Sequence, residues 1–456
     1  MKRWVVIALV LALVAGAGYA WMRLVPPTAS PATADPQQAR RAEAFLDLLD
    51  QGRYDEALAM GQPALREALA GGKLREVWET LPKQLGERRT RSPVRGETVG
   101  GRPVLTSTLQ FALVALDARV VLEPDGQISG FRLVPAQQAA AAPPEPVATD
   151  RYAETALTID SAGIGLPATL TLPTGTGPWP AAVLVHGSGP HDRDETIGPN
   201  KPFRDLAHGL AEHGIAVLRY DKRTQAAPQT LAGNDFTVDQ EVVDDALAAV
   251  AALRARPGID PDRVFVVGHS LGAMLAPRIG ERDPRIAGLA LLAAPAMRLE
   301  DTVVRQSRYL AGLAGTSGAD AQAALAELER QRDTVKQLAD RPAGDAPLML
   351  GLPHSYWLDL NAYDPVATAR RIRQPLLVLQ GAADYQVTPA DDFVLWRNAF
   401  DGDARARLVE YPRLNHLFMP AGDPPGPADY AKPGRVEDEV IADIARWIVA
   451  APSGSP

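Results

Sequence analysis

Two rhythms of hydrophobic and polar positions divide the chain. From about Ala39 apolar residues recur at helical spacing, as in Ala44, Phe45, Leu48 and Leu49, and a second such pattern runs through "YDEALAMGQPALREAL". The following "GETVGGRPVLTSTLQFALVALDARVVLEPDGQISGFRLVP" is rich in strand formers, with "PDG" at 124–126 as a hairpin turn. Helices followed by a meander predict a small α+β domain over 39–135, its helices on one face of an antiparallel sheet. A Pro/Ala-rich stretch, "AQQAAAAPPEPVATD" at 136–150, predicts a linker.

Beyond Arg151 short, wholly apolar runs alternate with amphipathic helices. "AAVLVHG", "IAVLRYD", "VFVVGHS", "IAGLALLAAP" and "PLLVLQG" have no polar alternation, as expected of parallel strands buried on both faces. Between the second and third, Val243, Leu247, Val250 and Leu253 fall on one helical stripe. The pattern predicts a doubly wound, mostly parallel α/β sheet over 151–452. One interval, about 297–374, has helical pattern and no strand, which predicts a helical cap inserted over the sheet edge.

The N-terminus follows neither rhythm. "MKR" precedes the uncharged, largely apolar run from Trp4 to Met22, with small-residue cleavage motifs at "AGA" (15–17) and "GYA" (18–20). Residues 1–22 are therefore expected to be an export signal, or an uncleaved anchor just long enough to span a bilayer. Residues 23–38 are expected to be a linker. The chain is then exported, periplasmic or secreted, with a possible membrane tether.

Composition narrows the function. The 456 residues are 46% hydrophobic and 22% charged, as in ordinary globular proteins. A formal net charge of −8 gives no electrostatic basis for a nucleic-acid partner. The absence of cysteine excludes a disulfide scaffold, a thiolate zinc site and a thiol nucleophile.

The sharpest chemical signal is "VFVVGHSLGAMLAPRIG", where Gly268, Ser270 and Gly272 form G-x-S-x-G between a strand and a helix. A serine on such a turn needs neighbours without side chains, and the N–H of Leu271 at the helix start is aimed at the reacting centre. The hydroxyl needs a base, and the base an orienting acid, in chain order Ser, Asp or Glu, His. Asp384 follows the strand "PLLVLQG", and His416, in "RLNHLF", is the only histidine beyond it. Ser270, Asp384 and His416 are the expected triad.

The segment "HGSGPHDRDE" follows the first of these strands. His186, His191, Asp192 and Asp194 invite a metal reading, but no second ligand cluster lies at familiar spacing. A phosphate reading lacks the following helix and the Lys-Ser/Thr pair. The position suits the second oxyanion donor, the N–H of Ser188, with Gly187 and Gly189 making room for substrate and His186 in structural support. Neither a metal nor any cofactor is expected. The "DRDE" charges are expected to brace the loop, with an Arg193 contact to an acidic substrate group as the alternative.

Together "HGSGPHDRDE", "LRYDKRT", "GHSLGAM", "DYQVTP" and "LNHLF" resemble the α/β-hydrolase superfamily, and within it the EstD-like and dienelactone-hydrolase-like carboxylesterases, over about residues 150–450. The resemblance implies cofactor-free hydrolysis of short-chain, small-molecule esters through an acyl-enzyme. It also implies an NTF2-like shape for the N-terminal domain, and a cap-to-core return in "YWLDLNAYDP" whose Tyr356, Trp357 and Asp359 line the pocket. An aminopeptidase with the same triad, and a binding protein on an inactive hydrolase scaffold, are the competing readings.

Overall fold

The structure, a computed structural model, describes residues 30–31, 35–85, 87–99, 102–111, 115–123, 125–136, 147–231, 235–313, 319–340 and 348–451. The expected signal or anchor at 1–22 and most of both expected linkers lie outside them. Among the described residues no helix is long and apolar enough to cross a membrane. The chain divides into two compact units, one up to Ala139 together with residues 319–324, the other comprising the rest of the chain.

The first unit opens with four helices, α1 (Pro36–Asp50), α2 (Tyr54–Ala59), α3 (Pro63–Leu69) and α4 (Lys73–Leu85). Helix α1 starts inside the expected 23–38 linker. The Asp35 carboxylate accepts the Gln37 N–H at 3.0 Å and Pro36 occupies the first turn, so capping outweighs the Pro/Ala-rich composition. A short strand, β1 (Ser30–Pro31), precedes these helices, and five more follow them: β2 (Arg88–Arg91), β3 (Arg95–Val99), β4 (Arg102–Phe111), β5 (Ala115–Leu122) and β6 (Ile128–Pro135). They pair antiparallel in the order β1-β3-β4-β5-β6, with β2 also on β4. Phe45, Leu46 and Leu49 of α1 pack with Leu105, Leu109, Leu116 and Val120 of the sheet in one closed core.

The second unit is an eight-stranded sheet: β7 (Tyr152–Ser161), β8 (Ile164–Pro173), β9 (Trp179–Val185), β10 (Ala216–Tyr220), β11 (Ile259–His269), β12 (Leu289–Leu292), β13 (Leu376–Gly381) and β14 (Ala406–Tyr411). Its spatial order is β14-β13-β12-β11-β9-β10-β8-β7. β9 to β14 run parallel, while β8 is antiparallel to both β7 and β10. Residues 147–150, expected as linker, are tied to β7 through Thr149 N–H to Tyr152 O and Glu154 N–H to Val147 O, both 2.8 Å. Besides a single turn at Arg223–Ala226, the helices from here on are α5 (Pro202–Glu212), α6 (Asp244–Arg254), α7 (Leu271–Arg282), α8 (Leu299–Leu313), α9 (Ala319–Lys336, its first six residues grouping with the first unit), α10 (His354–Asn361), α11 (Pro365–Arg371), α12 (Val394–Ala399) and α13 (Asp438–Ala450). Four of them, α8 to α11, lie in sequence between β12 and β13 with no strand among the described residues there.

The strand order places functional loops side by side. It reverses direction between β9, which lies beside β11, and β10, on the other side of β9. Side-chain chemistry at a doubly wound sheet collects at the carboxyl ends of the strands near such a reversal. The loops after β9, β10, β11, β13 and β14 all open at that edge.

Candidate active site

Ser270 sits between β11 and α7 at φ 52°, ψ −117°, a strained conformation for a residue with a side chain. The surrounding main chain enforces it. A Cβ on Gly268 would lie 2.3 Å from the Gly272 carbonyl oxygen, and one on Gly272 only 2.1 Å from that of Val185. The Ser270 N–H donates to Leu292 O at 2.9 Å, pinning the turn to the neighbouring strand. Ser270 is partly exposed, while Leu271 beside it is buried.

Asp384 and His416 meet behind this turn. The His416 Nδ1–H donates to Asp384 Oδ2 at 2.7 Å, which fixes the tautomer and leaves Nε2 as the basic nitrogen. The other carboxylate oxygen, Oδ1, accepts N–H groups from Gln386 at 2.7 Å and Val387 at 3.0 Å, so the acid is held from two directions. A Cβ on Gly381 would meet Leu414 O at 2.3 Å, so this glycine lets the His416 loop close over the end of β13. His269, next to Ser270, donates Nε2–H to the carbonyl of His416 at 2.9 Å, and the two rings lie 4.7 Å apart.

The loop after β9 closes the other side. A Cβ on Gly187 would come within 3.2 Å of Ser270 Cβ, so its missing side chain permits the approach. Gly189 has φ +91°, a conformation natural only to glycine. Among the described residues, the N–H groups of Ser188 and Leu271 take no hydrogen-bond acceptor.

The remaining polar groups of "HGSGPHDRDE" are engaged with one another. His186 donates Nε2–H to Asp192 O at 3.1 Å, and His191 donates its own to Ser188 O at 2.8 Å. Asp192 accepts from the Asp194 and Thr196 N–H groups and the Thr196 hydroxyl. Asp194 pairs with Arg219 and with Lys201. Arg193, buried, forms a two-pronged bond to Asp221 at 2.9 Å on each side and reaches Thr169 at 3.0 Å. Among the described residues no cluster of three or more His, Asp or Glu is arranged for a metal ion.

Burial sets the charge states. Desolvation pushes His186 down to about 3, because Nδ1 is buried with no partner to receive a proton. Burial would lower His269 too, but the Glu195 carboxylate 3.0 Å from Nδ1 and the His416 carbonyl on Nε2 outweigh it and raise the imidazole. Burial alone would raise Glu195, yet the charge and hydrogen bond of His269 bring it to about 2. Beneath the turn Glu195 and His269 thus form a buried pair in which each partner favours the charged form of the other.

Tyr356, Trp357 and Asp359 occupy places other than the expected pocket wall. Tyr356 and Trp357 have zero exposure, and their polar atoms are committed, Tyr356 Oη–H to Glu241 at 2.7 Å and Trp357 Nε1–H to Met349 O at 3.0 Å. Asp359 accepts from Arg278 at 2.7 Å. Arg278 lies eight residues along α7 from Ser270, about 12 Å at the helical rise of 1.5 Å per residue. Aromatic residues in a return segment fit a core as well as a pocket, and here packing takes them.

Four residues about the site had no role in the sequence reading or only a bracing one: Glu195, His269, Lys222 and Glu241. Lys222 Nζ donates to Gly187 O at 2.7 Å and lies 2.6 Å from Glu241 Oε1. All four are buried. The signal in the sequence was a lysine two residues after the buried strand "AVLRY", close to the sheet edge where a solvated charge has little reason to be.

A serine on a strand–turn–helix elbow, with an Asp–His pair on the loops after the next strands and strand order β14-β13-β12-β11-β9-β10-β8-β7, defines an α/β serine hydrolase. The chain belongs to the family described as serine aminopeptidase, S33, which matches residues 181–421. Residues 42–131 match a second family, a protein of unknown function (DUF3887). Esterase EstD of Thermotoga maritima is 36% identical over 408 residues, covering 89% of this chain and 94% of that one. Solved structures similar to the chain include Est1E from Butyrivibrio proteoclasticus (18% identity, 65% and 99% of the two chains, TM-score 0.42). Another is a Pyrobaculum calidifontis esterase (18% identity, 66% and 86%, TM-score 0.43).

Proposed function

We propose that the protein hydrolyses short-chain carboxylic esters through an acyl-enzyme on Ser270. The observation that carries the proposal is the 2.7 Å His416–Asp384 bond, which leaves Nε2 as base on the loop tied to the Ser270 turn. Relatedness to an esterase over most of both chains supports the ester as substrate. His416 takes the hydroxyl proton as Oγ attacks the carbonyl carbon, and Asp384 stabilises the imidazolium. The oxyanion rests on the N–H groups of Ser188 and Leu271, each donor of this kind being worth roughly 3–4 kcal/mol. The imidazolium then protonates the departing alcohol, and a water activated by the same nitrogen releases the acid.

Ser270→Ala is expected to reduce turnover of 4-nitrophenyl acetate by at least about 1,000-fold, the loss typical of a missing nucleophile. Near-native turnover in pure protein would end the proposal. A second reading, aminopeptidase action, is favoured by the description of the matching family. Comparing kcat/KM on an aryl ester with that on an amino-acid anilide separates the two, and the ester is expected to lead. The basic-then-apolar N-terminus further supports export, tested by the enzyme's partition between cytoplasmic and periplasmic fractions.

A further inference from the structure

We infer that Lys222 is the positioning residue of the oxyanion site, holding the Gly187–Ser188 peptide in the orientation that presents the Ser188 N–H to substrate. The inference rests on Ser270 being the nucleophile and deepens that reading. Its basis is which main-chain groups of the loop are held and which is left open.

The Gly187 N–H donates to Glu195 Oε1 at 2.8 Å. The Gly187 carbonyl accepts from Lys222 Nζ at 2.7 Å, and the Ser188 carbonyl accepts from His191 Nε2–H at 2.8 Å. The Gly189 carbonyl accepts from the Thr224 hydroxyl at 3.2 Å. The Ser188 N–H, in the middle of this row, takes no acceptor among the described residues. Peptide planarity supplies the link. In a trans peptide the C=O and the following N–H point in opposite directions, so an atom that fixes the Gly187 oxygen also fixes the Ser188 hydrogen. Lys222 holds the very peptide whose N–H the reaction needs.

Two features show that the lysine is built into this role. Its main-chain N–H donates to His191 O at 3.0 Å, so the same residue secures the loop twice. Its Nζ is backed at 2.6 Å by Glu241, which accepts the Tyr356 hydroxyl at 2.7 Å. Burial drives Lys222 and Glu241 towards their neutral forms, the lysine down and the carboxyl up. Wherever the proton between them resides, Nζ keeps a hydrogen for the Gly187 carbonyl. Opposite, Glu195 holds φ +51°, a conformation a side-chain-bearing residue keeps only when its surroundings impose it. A chain from Tyr356 in α10 through Glu241 and Lys222 thus ends on the oxyanion peptide.

Lys222→Met strands the Glu241 carboxyl without its partner, so the deciding variant is Lys222→Met/Glu241→Met, which replaces a buried pair by apolar atoms of similar size. The probes are 4-nitrophenyl acetate and a trifluoromethyl ketone whose hemiketal oxyanion mimics the intermediate. The expected result is a kcat lower by about 100-fold, KM within about twofold, and ketone affinity reduced by a factor similar to that in kcat/KM. The melting temperature of the double variant is expected to stay close to that of the parent. A double variant with kcat and ketone affinity within about threefold of the parent would overturn the inference, whatever its melting temperature. So would equal losses in kcat and in the fraction of protein folded, because then only folding is affected. Ser270→Ala, run in parallel, separates the two readings. If it alone abolishes turnover, the nucleophile stands and only the role of Lys222 falls.

Discussion

At the scale of single residues, the site is organised by charges taken out of water. His186 and His269 lie on neighbouring strand ends, yet their environments drive them apart. His269 has an acceptor on Nε2 and the Glu195 carboxylate 3.0 Å from Nδ1, which favours its cation; its contribution to stability is present below the unfolded value of about 6.5 and is lost as pH rises through the raised folded value. His186 has an acceptor on one nitrogen only and folds neutral, at about 3. Between about 6.5 and 3 the unfolded chain binds the His186 proton and the folded chain does not, so folding is favoured as pH rises through that window. Its share is complete above about 6.5 and lost as pH falls, with a slope of up to about 1.4 kcal/mol per pH unit. His186→Gln is therefore expected to flatten the acid limb of stability, measured by urea unfolding at pH 4.5 and pH 7. An unchanged slope would contradict the buried neutral assignment.

At the scale of elements, the serine elbow and the core strands were legible because each is a local pattern. Asp384 and His416 could be picked out only by their order along the chain and their places after strands. G-x-S-x-G reads as an elbow since its glycines are required within five residues, and wholly apolar runs read as parallel core strands. The β7–β8 hairpin was not legible in this way. It forms the sheet edge, so β7 alternates buried and exposed positions instead of running apolar throughout. The Lys222–Glu241–Tyr356 chain was equally hidden, since its members come from the loop after β10, the turn leading into α6, and α10, joined only by folding. Two predictions belong here. Gly272→Ala puts a methyl group 2.1 Å from a main-chain oxygen that cannot move aside, and is expected to abolish soluble, folded protein or any reactivity of Ser270 towards a fluorophosphonate. Asp384→Asn presents an amide, which donates where His416 Nδ1–H needs an acceptor, and is expected to lower kcat by about 10,000-fold with the fold intact by circular dichroism.

At the scale of the whole molecule, the chain contains two cores that are each complete. The buried residues of the first lie between Ala42 and Leu133 among the described residues, and the family matches fall at 42–131 and 181–421. The expected domain bounds rested on the alternation of helical and strand patterns, whereas the start of α1 is set by one capping carboxylate that composition masked. Leu46 is fully buried in the first core, among residues of α1 and the first sheet. Leu46→Ala removes methyl groups and leaves a cavity, a change that costs about 2–5 kcal/mol in well-packed interiors. Leu46 belongs to the first unit and Ser270, Asp384 and His416 to the second, so the loss is expected in unfolding of the first. The variant should show an early transition in a thermal melt while, at 25 °C, Ser270 reacts with a fluorophosphonate at the parent rate. A labelling rate that fell with the first transition would mean that the small domain holds the hydrolase in its working form, a coupling that the separate cores give no reason to expect.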